Sequence, residues 1–228
     1  MENNYLEQLS KGQIKLKDIP VEHRTLELCE IAVKKDGMDL YSVPIELRTK
    51  ELCEMAVRKN GYSLIAVPLK FQTKELCKIA VKVNGWALRY VPVEYRTPEI
   101  CKIAVNQDPW ALNYVPPQLR TKELCEMAFE KDGWALGYVP VELRTPELCE
   151  IAVKNFGYAL EFVPIELRTP ELCKIAVKGN GLVLQHVPFE FRTEELCEIA
   201  VKQYSGALEY VPEHIKTDKF LSKVNFYR

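Results

Sequence analysis

Apolar and polar positions along this chain return at a fixed interval. In Leu76-Cys77-Lys78-Ile79-Ala80-Val81-Lys82 the apolar residues fall so as to line one side of a helix, the spacing of an amphipathic α-helix. After a glycine comes a shorter run, Trp86-Ala87-Leu88-Arg89-Tyr90-Val91, which ends at Pro92, where proline bars further regular continuation. The same order then begins again. Cys29, Cys53, Cys77, Cys101, Cys125, Cys149, Cys173 and Cys197 mark it, each 24 residues from the last. The threonines from Thr25 to Thr217 and the Val-Pro pairs from Val43-Pro44 to Val211-Pro212 keep the same step. Eight repeats cover residues 25–216 without an insertion. Self-similarity at such a period signals a stacked repeat architecture.

Each repeat reads as a helix, a turn and a short helix. Thr145 suits an N-cap, Pro146 suits the first helical position and Glu147 suits the positive helix end. Gly157 is expected to close the helix with a left-handed φ, as are Gly37, Gly61, Gly85, Gly133 and Gly181 in theirs. Pro109 and Ser205 stand at that place in two repeats, so those corners are expected to differ. At about 100° per residue, Leu76, Cys77, Ile79, Ala80 and Val81 span an arc of roughly 200°. That arc suits a helix packed on both sides. One repeat cannot close a core alone, and stacking supplies the missing partners. The expected fold is all-α, an α-solenoid of eight helix–turn–short-helix repeats. Residues 1–24, with Leu6, Leu9, Ile14, Leu16 and Ile19, read as a degenerate capping half-repeat. Residues 217–228 read as a C-terminal capping helix, and the whole as a single domain.

The string Glu147-Leu148-Cys149-Glu150-Ile151-Ala152-Val153-Lys154, followed by Gly157-Tyr158-Ala159-Leu160 and by Glu166-Leu167-Arg168-Thr169, resembles a short helical repeat of unknown function known from bacterial proteins. The chain departs from that pattern in its Val-Pro pair after the aromatic residue and in its helical cysteine. The resemblance implies a helical fold and a scaffold role, and it carries over no catalytic residue.

Composition narrows the picture. The 228 residues carry 31 Lys+Arg against 32 Asp+Glu, which argues against a surface built throughout to grip nucleic acid or anionic membrane. No apolar run approaches the roughly 18 residues of a membrane span, and the polar N-terminus opens no secretory segment. A cytoplasmic protein is expected. The eight cysteines read as small core residues, reduced in the cytosol. Neighbouring helices about 8–10 Å apart leave the thiols too far apart to bridge. One cysteine per repeat without a paired histidine makes no zinc site. No metal, cofactor or catalytic residue is expected. A glutamate and an arginine also recur in nearly every repeat, whereas an active site is a single constellation; these columns read as a surface row of Arg–Glu pairs.

The informative columns are those that vary. Trp86, Trp110 and Trp134 share one repeat position, and Tyr90, Tyr114 and Tyr138 share another four residues on. As an α-helical pair, Trp86 and Tyr90 would share a face. The rings read either as packing between repeats or as an exposed binding stripe, and the two are compatible if the rings are half-buried. Charge is uneven too. Residues 49–72 hold four bases against two acids, residues 73–96 five against two, and residues 121–144 three against five. Lys74, Lys78 and Lys82 lie on one helical stripe, with Arg89 beyond. These ten residues are the candidate partner-binding set. The expected function is a non-enzymatic protein-binding scaffold, acting as inhibitor or adaptor. The alternative is an RNA- or DNA-binding solenoid that uses residues 49–96 and the tryptophan column.

Overall fold

The threonine caps form as their sequence position implies. In the computed structural model, which describes residues 2–224, the hydroxyls of Thr49, Thr73, Thr97, Thr121, Thr145, Thr169 and Thr193 each accept from the backbone N–H three residues on, at 3.2–3.4 Å. From these caps run α3 (Lys50–Lys59), α4 (Lys74–Val83), α5 (Pro98–Gln107), α6 (Lys122–Lys131), α7 (Pro146–Asn155), α8 (Pro170–Gly179) and α9 (Glu194–Gln203), whereas α2 (Leu26–Lys35) starts after Thr25 without such a side-chain bond. They are preceded by α1 (Glu2–Ser10) and followed by α10 (Asp218–Val224). The architecture is an all-α repeat fold. Among the described residues no helix is long and apolar enough to cross a membrane.

The short second helix is not an α-helix. It is a six-residue 3-10 helix, Gly85–Tyr90 in the third repeat, and a further 3-10 turn, Val93–Tyr95, follows Pro92. With three residues per turn, Gly85, Leu88 and Val91 line up, and all three are buried. They meet Leu76, Cys77, Ala80 and Val81 of α4 in the core, while Ile79 stays half-exposed at its rim.

The glycine corner also departs from expectation. Among the described residues only Gly12 has a positive φ, 73°. Helices α2 to α9 instead each end on an extended residue, such as Asn84 with φ −149°. The Oδ1 atoms of Asp36, Asn60, Asn84, Asp108, Asp132 and Asn180 accept from the N–H two residues later at 2.9–3.0 Å. These Asx turns close one helix and open the next. Asp108 before Pro109 and Tyr204 before Ser205 both have φ −146°, so these two corners keep the common backbone. Glycine is present because backbones meet there. A Cβ on Gly157 would lie 2.4 Å from the Ala176 carbonyl oxygen of the next repeat, and one on Gly61 would lie 2.1 Å from that of Ala80.

Among the described residues, Arg24, Arg48, Arg96, Arg144, Arg168 and Arg192 bond to backbone carbonyls rather than forming the expected pairs with glutamates. Arg96 donates from Nε to the Val91 carbonyl at 2.9 Å, from Nη1 to that of Tyr114 in the next repeat at 2.9 Å, and from Nη2 to that of Arg89 at 3.2 Å. Arg24, Arg48, Arg144, Arg168 and Arg192 repeat this fork. Each guanidinium caps the carbonyl ends of two 3-10 helices, where a cation is favoured. Gln72 takes the arginine's place once. Its Nε2 reaches the Val67 and Leu64 carbonyls at 2.9 and 3.4 Å, within its own repeat, and its buried Oε1 has no partner. Gln72→Arg is therefore expected to add a bond to the Tyr90 carbonyl and remove a buried orphan acceptor. Stability should rise by about 1–2 kcal/mol, read as a higher denaturant midpoint with an unchanged slope. An unchanged midpoint would contradict this.

By internal contact the chain divides into two compact halves, Met1–Leu119 and Arg120–Arg228. Contacts in a repeat array run between neighbours, so a long array has no single shared core. In the first half, residues up to 24 form a whole degenerate repeat rather than half of one. Helix α1 is followed by 3-10 turns at Leu16–Asp18 and Val21–His23, with Leu9, Leu16 and Ile19 buried. In the second half, α10 buries Phe220 and Val224; residues 225–228 of the expected C-terminal cap lie outside the described residues.

Candidate partner-binding surface

Four of the six Asx turns deliver an aromatic residue: Tyr62, Trp86, Trp110 and Trp134. The N–H of Trp86, Trp110 or Trp134 is the donor to the capping carboxamide or carboxylate, which fixes where the side chain leaves the backbone. In a 3-10 helix Trp86 and Tyr90 point about 120° apart, not along one face as an α-helical reading expects. The rings meet between repeats instead. In the first half Trp86 lies 6.3 Å from Trp110 and 5.6 Å, edge-on, from Tyr114, and Tyr62 meets Tyr90 at 5.0 Å. In the second half Trp134 stacks on Tyr158 at 5.7 Å and meets Phe162 at 5.3 Å. These separations are those of favourable aromatic pairs. The columns thus pack repeat on repeat, yet Trp110 and Trp134 remain 36% and 42% exposed. Tyr138 is half-buried on the second half.

The basic candidates separate. Arg89 lies 5.9 Å from both the Tyr90 and the Tyr114 ring, within cation–π range. Lys78 pairs with Glu99 of the next repeat, and that hydrogen bond raises the lysine's pKa and lowers the glutamate's. Lys74 and Lys82 are exposed. The three lysines therefore do not act as one uncompensated stripe.

The cysteines are free and buried. Burial pushes each thiol from 9.0 up to about 11. A thiol held neutral in this way is a poor nucleophile.

Sequence reasoning missed the most exposed apolar column. Of the residues that follow the nine Val-Pro or Ile-Pro pairs, seven are Val21, Ile45, Leu69, Val93, Val141, Ile165 and Phe189, while Pro117 and Glu213 stand at the other two places. Each of those seven is between 58% and 78% exposed. The residue opens the second 3-10 turn, where the preceding proline turns the chain away from the core. A regularly spaced apolar position reads as core, and only the tight turn shows otherwise. The signal available was that proline, together with a glutamate directly after the apolar residue in most repeats. Two residues along, Leu167 and Phe191 line shallow grooves between successive helices. One, of about 250 Å³ between α7 and α8, is lined by Leu167, Leu172 and Ile175 with Glu150 and Glu171. The other, of about 240 Å³ between α8 and α9, repeats it with Phe191, Leu196 and Ile199 beside Glu171, Lys174 and Glu195.

The model of a domain of unknown function, DUF4116, matches seven overlapping windows, from residues 25–72 to residues 169–216, stepped by 24. The chain belongs to the DUF4116 family. Each window takes in two of the repeats described above, so the DUF4116 unit is a neighbouring pair of repeats. No curated protein matches the sequence significantly.

Proposed function

We propose that this DUF4116 protein is a non-enzymatic scaffold that binds a protein partner through its repeat surface and acts on it as an inhibitor or adaptor. The observation that carries the reading is the column of solvent-exposed apolar side chains, present in six of the eight repeats and at Val21 before them. Scattered surface leucines and valines are ordinary, but their return at one position of successive repeats within each half, as at Val141, Ile165 and Phe189, supports an interaction site. The half-exposed rings of Trp110 and Trp134 add aromatic contact of a type favoured in interfaces. Eight buried, unpaired thiols suit a reducing compartment such as the cytoplasm.

Affinity capture with the tagged full chain, with and without nuclease, tests this. A protein partner should be retained after nuclease treatment. Loss of all bound material on nuclease treatment, with affinity falling steeply as salt rises, would overturn it in favour of nucleic-acid binding.

A further inference from the structure

We propose that the second half of the chain, Arg120–Arg228, docks an extended basic segment of a partner protein, in which an apolar residue and a Lys or Arg recur about every three residues. This rests on the protein-binding reading above and names the chemistry of the partner.

Three observations point the same way. First, Val141, Ile165 and Phe189 project into solvent at one position of three successive repeats. Each is followed directly by a carboxylate: Glu142, Glu166 and Glu190, all exposed. None of the three forms an ion pair with a lysine or arginine among the described residues. Second, the two grooves that adjoin these turns are apolar at the floor and acidic at the mouth. Glu171 lines both and is exposed, and the one base there, Lys174, is held by Glu195 at 3.0 Å. Third, residues 120–228 contain 14 bases against 17 acids, whereas residues 1–119 contain 17 against 15. In the first half the same column is broken by Lys70 after Leu69. Both the local pattern and the net charge therefore direct a basic segment to the second half, because unpaired carboxylates beside apolar surface favour cations on the partner.

The spacing selects an extended conformation. Packed helices lie about 8–10 Å apart, so one apolar side chain and one carboxylate recur at about that interval. A polyproline-type chain advances about 3.1 Å per residue and returns to the same face every third residue, about 9 Å on. An α-helix would need six or seven residues to cover the interval at about 1.5 Å each, and would leave most of them without a partner on this surface.

The test uses the full chain and fluorescently labelled synthetic peptides in an anisotropy titration at low salt. A peptide of four Leu-Lys-Pro repeats, which cannot form a regular helix, should bind at least about tenfold more tightly than peptides of four Leu-Glu-Pro or four Ser-Lys-Pro repeats. The variant Glu142→Lys/Glu166→Lys/Glu190→Lys, with all three changes at exposed positions and its fold checked by circular dichroism, should lose that binding by a similar factor. Equal affinity for the Leu-Glu-Pro peptide would overturn the charge assignment. Equal affinity for the Ser-Lys-Pro peptide would overturn the apolar one. Absence of binding, or unchanged binding by the triple variant, would overturn the proposal as a whole. In each of those cases a nuclease-resistant protein captured by the full chain would leave the scaffold reading standing.

Discussion

Raising the pH from 9 to 11 is expected to unfold this protein cooperatively. All eight cysteines are buried in the core, and burial holds each thiol at about 11 against an ordinary 9.0. The folded-state value is raised, so the native state prefers the protonated thiol. The stabilisation is complete below the unfolded value and is lost as pH rises towards and through the folded one. Between the two, each thiol removes about 1.4 kcal/mol per pH unit. Eight acting together remove on the order of 10 kcal/mol across the first unit, which is comparable with the whole stability of a typical domain, about 5–15 kcal/mol. Far-UV circular dichroism and thiolate absorbance should therefore change together. Thiolate appearing while the helical signal persists would show that the thiols reach solvent in the native state. Cys101→Ala should lower the steepness by about one-eighth of the whole.

Gly157→Ala is expected to destabilise the fold by about 3 kcal/mol through overpacking. The added Cβ would sit 2.4 Å from the Ala176 carbonyl oxygen, a backbone atom in the middle of α8 that cannot rotate away. Gly179→Ala is the contrast. That glycine is exposed at the end of α8, and its Cβ would lie 3.6 Å from Gly157, an ordinary contact. Alanine is the better helix former by about 0.5–1 kcal/mol, so stability should hold or rise. For a protein of this size each kcal/mol moves Tm by about 2–4 °C. A loss of about 6–12 °C for the first variant and none for the second is the expected result. Equal shifts would place the constraint in chain flexibility rather than in the approach of the next repeat.

The repeat, the caps and the buried Leu, Cys, Ala and Val columns were legible because each follows from a local preference that the chain states eight times. What was not legible depends on contact between repeats. Gly157 looks like a left-handed stop until the neighbouring alanine carbonyl is in view. Arg96 looks like a surface cation until the carbonyls of two 3-10 helices converge on it. The pairing of Trp86 with Tyr114 rather than Tyr90 follows from three residues per turn in place of 3.6, a difference that apolar spacing over six residues cannot resolve. The exposure of Ile165 and its equivalents follows from the tight turn after each proline, which apolar periodicity alone does not reveal. Of the candidate surface, the half-exposed tryptophans were readable, whereas the column after the prolines was not.

A protein partner is expected to sit on this column. The most direct test is photo-crosslinking in the cells that make the protein, with a benzophenone amino acid placed singly at Ile165, at Phe189 and, as control, at Lys178, exposed near the other end of α8. One shared crosslinked protein is expected at Ile165 and Phe189, and none at Lys178. Crosslinks at Lys178 with none at the two column positions would contradict this.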